Sequence, residues 1–254
     1  MRTVQRIGSF LVVGLAAFAP LLAEVDSKAL RKAGKLAQQG ERSLRAGDMS
    51  GAGEKFDDSL AVLPDFPPAL IGLGHISMRE GDYASALRYY QLAKDGYTQL
   101  GLAMLEIESR RFAEAQMQIT QLQDSISQLQ GASGGASAPA QASNQIAQLD
   151  NAINRLQAIS APNPGGADEP PAEIDFYIGN AQFRLQQLDD AIASWEACAV
   201  SNPRFPMVHN NLALGYWQQG KLDLAQRRLD RAEELGFPVN PNFKSDLAKA
   251  AGQP

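Results

Sequence analysis

A spacing of 34 residues constrains this 254-residue chain more than any other feature. Gly220-Lys221-Leu222-Asp223-Leu224-Ala225 falls 34 positions after Gln186-Gln187-Leu188-Asp189-Asp190-Ala191. Gly81-Asp82-Tyr83-Ala84-Ser85-Ala86 stands in the same relation to Gly47-Asp48-Met49-Ser50-Gly51-Ala52. Self-similarity at a fixed period of this size marks a repeat architecture. One unit cannot bury its own apolar face, so neighbouring units must stack.

Residue size repeats along with the spacing. Residues 172–205 carry Ile178, Gly179, Gln186, Ala191, Trp195, Cys198 and Pro203 at positions that in 206–239 hold Leu212, Ala213, Gly220, Ala225, Leu229, Ala232 and Phe237. Residues 67–100 supply Leu73, Gly74, Gly81, Ala86, Tyr90, Ala93 and Thr98, and residues 33–66 supply Gln39, Gly40, Gly47, Ala52, Phe56, Ser59 and Pro64. A further copy, Leu102, Ala103, Arg110, Ala115 and Ile119, fits only if the loop before it is shortened. Small residues let two helices approach closely, a bulky one fills the remaining gap, and Pro64 and Pro203 stand where a helix must stop.

This pattern resembles the tetratricopeptide repeat, a helix–turn–helix unit stacked into a superhelix. The resemblance implies an all-α solenoid, here in two blocks: 24–118, with about three repeats, and 172–239, with two. The segment 240–254 reads as a capping helix and tail, with Phe243 and Leu247 four apart to cover the last repeat. In this family the first helix of each unit lines a concave groove that takes an extended peptide or a partner helix. Carried over position by position, the groove would show Phe176, Asn180, Phe183, Arg184, Met207, Asn210, Asn211, Leu214, Trp217 and Gln218, with Ile71, His75, Met78 and Arg79 in the N-terminal block. Asn180 and Asn211 match asparagine places that hold a peptide backbone in some members, an amide being able both to donate and to accept. Phe176 stands where carboxylate-clamp members carry a lysine, so the resemblance points to a hydrophobic or backbone-read ligand, with aromatic anchors.

Between the blocks the pattern changes. Ile119, Leu122, Ile126 and Leu129 are spaced three, four, three, and so are Ile146, Leu149, Ile153 and Leu156. Each run is a narrow apolar seam in otherwise polar sequence, which predicts a coiled-coil-like helical hairpin over 119–160. The hairpin either packs on the repeats or serves as an arm for self-association. Its tip, residues 131–140, is rich in Gly, Ala and Ser, and a Pro/Gly linker follows at 161–171.

The first 23 residues read as an export signal. Arg2 and Arg6 precede a stretch without charge from Ile7 to Leu22, and small residues close it. The expectation is a periplasmic or secreted protein, with membrane attachment only if that run stays uncleaved. The formal charge of −5 offers no basic stripe for nucleic acid. One cysteine, Cys198, rules out a disulfide within the chain, and His75 and His209 are the two histidines, expected on first helices facing solvent or a peptide. Gly131-Ala132-Ser133-Gly134-Gly135 fits a hydrolase elbow formally, but that motif needs a strand before the serine, and this linker sequence has none. No metal, phosphate or dinucleotide motif is present, so no cofactor and no catalytic residue is expected. The sequence thus reads as a non-catalytic scaffold of the bacterial envelope with a protein partner. The alternatives are a self-associating structural protein, a homo-oligomer through the hairpin, or the regulatory subunit of an envelope enzyme.

Overall fold

Turns divide the chain where the 34-residue spacing places them. In the computed structural model, which describes residues 27–132, 140–160, 170–250 and 252, ten helices form and no strand does among those residues. The expected signal at 1–23, most of the Gly/Ala/Ser tip, Ser133 included, and residues 161–169 of the linker lie outside them. Helix α1 (Ser27–Arg45) buries Ala33, Ala37 and Leu44 on one face, with Gly40 between, a spacing of four, three, four. It ends at Gly47, whose φ of 87° is left-handed, and the amide of Asp48 donates to the Ser43 carbonyl at 2.9 Å. Asp48 then caps α2 (Met49–Val62) by accepting from the Gly51 amide at 2.9 Å.

The same joint recurs. Helix α3 (Pro67–Glu80) opens on a proline and closes on left-handed Gly81, and the Asp82 carboxylate accepts from the Ser85 amide at the start of α4 (Tyr83–Ala132). Helices α6 (Glu173–Arg184) and α7 (Leu188–Ser201) are joined through Gln186, which takes the left-handed conformation at φ 62°. Helices α8 (Pro206–Gln218) and α9 (Leu222–Glu234) are joined through Gly220, and α10 (Pro241–Ala250) closes the series. Leu247 of α10 is fully buried with Ala213, Ala225 and Leu229, so the expected cap covers the last pair.

The chain divides into two compact units, one of residues 25–98 with 170–254 and a second that holds 99–169. In the first unit the two sequence blocks adjoin. Ala86 and Tyr90 of α4 share one core cluster with Ile174, Ile178 and Ala181 of α6. Lys94 reaches Asp175 at 2.6 Å, and the Arg184 guanidinium lies 4.4 Å from the Tyr83 ring centroid and donates to its hydroxyl. The helix pairs α1/α2, α3/α4, α6/α7 and α8/α9 are therefore one series with α10 at its end.

The additional repeat expected at Leu102, Ala103, Arg110, Ala115 and Ile119 does not form, so the block read as 24–118 holds two helix pairs. Residues 83–132 are a single helix of 50 residues. The reason is local. Where the other units place Gly47, Gly81, Gln186 and Gly220 in left-handed turns, this stretch has Arg110, and no glycine or proline falls between Gly101 and Gly131. Nothing interrupts the hydrogen-bonded ladder, so the second helix of its pair runs on.

The second unit contains α4 beyond residue 98 and α5 (Ala140–Ser160). Ile119 and Ile153 are buried, and Leu122, Ile126, Leu129, Ile146, Leu149 and Leu156 are half-buried among exposed polar neighbours. The seams read from the sequence are the faces withdrawn from water.

Candidate functional site

The first helices of the pairs, α1, α3, α6 and α8, together with the closing helix α10, carry the candidate surface, and close packing beneath fixes their spacing. Phe56 lies against Gly40 of its own pair and Gly72 of the next, while Tyr90 lies against Gly74. Trp195 is wedged between Gly179 and Gly215. Its indole Nε1 donates to the Asn180 Oδ1 at 3.1 Å, and the Asn211 Nδ2 donates to the same oxygen at 2.8 Å. The Asn210 Nδ2 approaches the Asn211 Oδ1 at 3.4 Å. An indole and three amides thus tie α6, α7 and α8 together. The two lone pairs of the Asn180 oxygen are occupied, which leaves its NH2 group as the side that can serve a ligand.

Next to this amide row lies an open cavity of about 360 Å³ lined by Asn210, Leu214, Trp217, Asn240, Phe243 and Asp246. The Trp217 and Phe243 rings meet edge to face, 5.5 Å between centroids. The floor is apolar, and Asn210, Asn240 and Asp246 provide the polar rim. A smaller hollow of about 190 Å³ between α1 and the start of α3 is lined by Gly34, Ala37, Gln38, Glu41, Phe66 and Pro68.

The ten residues carried over from the resemblance divide into groups. Asn210, Leu214 and Trp217 line the cavity, while Asn180 and Asn211 are bonded to each other beside it. Met207, at 42% exposure, and Gln218 face solvent. Arg184 is exposed but engaged with Tyr83. Phe183 is half-buried 5.5 Å from the Trp195 ring. Phe176 is buried, at 8% exposure, in the core with Ala191, Trp195 and Val208, and its ring lies 5.0 Å from that of Phe205. A phenylalanine at a place other members give to lysine is drawn inward by its own burial energy. In the N-terminal block, Ile71 and Met78 pack on the Tyr90 cluster, and Arg79 is exposed within 3.4 Å of the Leu44 carbonyl.

The histidines also depart from expectation. His209 is buried, its Nε2–H donating to the Pro203 carbonyl at 3.0 Å. His75 is half-buried, with Nδ1 2.8 Å from the Tyr90 hydroxyl and its ring edge-on to Tyr177 at 4.6 Å. Burial lowers the pKa of both, the nearby Arg79 adding to this at His75 and Arg228 and Arg231 at His209. Burial pushes the Cys198 thiol up to about 11, an unreactive setting for a cysteine at a small packing position. Among the described residues no cluster of three or more His, Cys, Asp or Glu side chains could hold a metal ion, and no helix is long and apolar enough to cross a membrane.

Asn240, Phe243 and Asp246 are the cavity residues that positional transfer missed, because they belong to the closing helix and the turn before it rather than to a repeat. The four-residue spacing of Phe243 and Leu247 was the available signal.

Comparison with known proteins agrees with the repeat reading over part of the chain. The tetratricopeptide-repeat family pattern matches residues 176–222. Cellulose synthase 1 operon protein C of Komagataeibacter xylinus is 40% identical over 62 residues, 24% of this chain and 5% of that protein. Cellulose synthase operon protein C of Komagataeibacter sucrofermentans matches to the same extent. The chain therefore spans a small fraction of the length of these relatives. Among solved structures, PilW, a widely conserved type IV pilus biogenesis factor, superposes with a TM-score of 0.43 at 15% identity, over 87% of this chain and 86% of that one. A thermophilic TPR protein of Thermus thermophilus gives 0.37 at 18% identity, over 86% and 98%. The matched residues 176–222 contain α7, α8, most of α6 and the Asn180–Asn211 pair.

Proposed function

We propose that this chain is a non-catalytic interaction scaffold of the bacterial cell envelope that holds a segment of a partner protein on the surface of α6, α8 and α10. The observation that carries the reading is the cavity of Asn210, Leu214, Trp217 and Phe243 beside the Asn180–Asn211 pair. An apolar floor gives a side-chain anchor a place to leave water, and the amides can meet the backbone of an extended segment. The envelope setting rests on the basic and apolar N-terminal sequence.

The test places a photocrosslinking amino acid at exposed Met207 in the source bacterium and compares the wild type with Leu214→Arg, after circular dichroism shows equal helicity. One envelope protein attached to the wild type and lost from Leu214→Arg is the expected result. An adduct indifferent to Leu214→Arg removes the cavity from the proposal, and adducts confined to cytosolic proteins remove the envelope.

A further inference from the structure

Helix α4 carries an exposed apolar stripe N-terminal to the buried part of the hairpin seam. Leu102, Leu105 and Phe112 are 57%, 53% and 48% exposed. With Ser109 they follow the three-four-three spacing of one helix face. Leu105 and Phe112 continue, at seven-residue spacing, the seam that is buried from Ala115 and Ile119 onward, so the stripe is the exposed N-terminal extension of that seam. Length explains why the stripe is uncovered. Helix α5 has 21 residues, so running back from the tip it matches α4 only from residue 132 to about residue 112, at ~1.5 Å per residue in both. Residues 102–111 lie beyond its reach.

The charges beside the stripe select an occupant. Glu106 follows Leu105 and Arg110 follows Ser109, so both sit on the same flank, 54% and 61% exposed, and they meet at 2.5 Å. When two copies of a helix pair antiparallel, like flank faces like flank. A two-fold axis between residues 108 and 109 sets Leu105 against the partner's Phe112 and, on the flank, Glu106 beside the partner's Arg110. Both the apolar and the charged pairs then repeat on the other side of the axis. A stripe that is complementary to itself, in shape and in charge, is the property an isologous contact requires. We propose that residues 102–112 of α4 are a self-association surface whose occupant is the same segment of a second copy of this chain, in antiparallel orientation. This is independent of the cavity on α8 and α10.

The contact is short. It engages about ten residues a side against the 20–30 of a standard interface, so the dimer is expected to be weak and concentration-dependent. The experiment uses the full chain in two arms. In the first, Ser109→Cys places a thiol beside the axis, and Glu114→Cys places one off the stripe as control; native Cys198 is buried and does not compete. Mild oxidation is expected to give a covalent dimer from Ser109→Cys at least tenfold faster than from Glu114→Cys. In the second, sedimentation velocity at rising concentration follows the wild type, Glu106→Arg, and Glu106→Arg combined with Arg110→Glu. The single variant is expected to remain monomeric and the double reversal to regain the wild-type dimer. All these positions are exposed, and circular dichroism checks that helicity is unchanged. Equal cross-linking at 109 and 114 overturns the proposal. So does a wild type that stays monomeric at the highest concentration, or a double reversal that fails to recover. Binding of the wild type to anionic vesicles without any dimer also overturns it, and reassigns the stripe to a lipid surface.

Discussion

A single missing methyl group sets the distance between helices in this fold. A Cβ added at Gly179 would lie 2.5 Å from both the Cδ1 and Nε1 atoms of Trp195 and 3.0 Å from the Ala191 carbonyl. Trp195 cannot yield, being 1% exposed and bonded to Asn180. Gly179→Ala is therefore expected to destabilise the chain by about 1–3 kcal/mol in chemical denaturation. Gly131→Ala, at a site with nothing within 4 Å, serves as a control without loss. The turn at Gln186 predicts the opposite sign. Its φ of 62° places a side chain in the left-handed region that glycine occupies at the equivalent Gly47, Gly81 and Gly220. Gln186→Gly is expected to raise stability by up to about 1 kcal/mol, the relieved strain exceeding the added chain entropy; an unchanged denaturation midpoint would count against that account. These size positions were legible in the sequence because steric rules act within one helix pair. The direction of each surface side chain was not. Phe176 and His209 hold positions that face a groove by family pattern, yet both turn inward, since burial depends on what Phe205 and Arg228 place opposite them.

Between elements, polar contacts hold the C-terminal pairs in register. Glu196 of α7 accepts two hydrogen bonds from the Arg228 guanidinium of α9, at 2.7 and 2.6 Å, and one from the Tyr216 hydroxyl of α8 at 2.6 Å. The Arg228 Nη1 also lies 3.5 Å from His209 Nδ1. An imidazolium there would be buried beside a fixed guanidinium, which is why the folded state favours neutral His209; His75 is shifted the same way by its burial. A histidine whose folded pKa lies below its unfolded value of about 6.5 contributes fully above that pH, and the contribution is lost as pH falls below it. The urea midpoint is expected to decline between pH 7.5 and 5.5. His209→Gln, whose amide can still donate to the Pro203 carbonyl, should flatten that decline. An equal slope in both proteins would place the effect elsewhere. At this scale the sequence was legible wherever punctuation was explicit. Gly-Asp at 47–48 and 81–82, with Pro67, Pro206 and Pro241 at helix starts, marks joints that form. The extra copy at 102–119 had the apolar residues of a repeat and none of its punctuation, and the helix continued through it.

For the whole chain, order in sequence and order in space differ. The segment from 99 to 169 separates the blocks along the sequence, yet α6 stacks on α3 and the start of α4 as the next member of the series. Ile174, Ile178 and Ala181 join Ala86 and Tyr90, Tyr177 joins His75, and Lys94 joins Asp175. A periodic pattern shows which residues make a unit but not which unit is its neighbour, so the two blocks were legible and their adjacency was not. The adjacency makes a strong prediction. Residues 25–98 and 170–254 form one compact unit. Replacing residues 99–169 by a Gly/Ser linker of about eight residues, able to span up to ~25 Å, keeps the polypeptide continuous without reordering it. That protein is expected to unfold in one cooperative transition with the near-ultraviolet signature of buried Trp195 intact. Asp175→Lys, which sets like charges together at the junction, should then lower the melting temperature of the whole shortened protein rather than of one block alone. Two separated transitions in the shortened chain would mean that the blocks are independent domains, and that the junction at Tyr90 and Tyr177 contributes little to the stability of either.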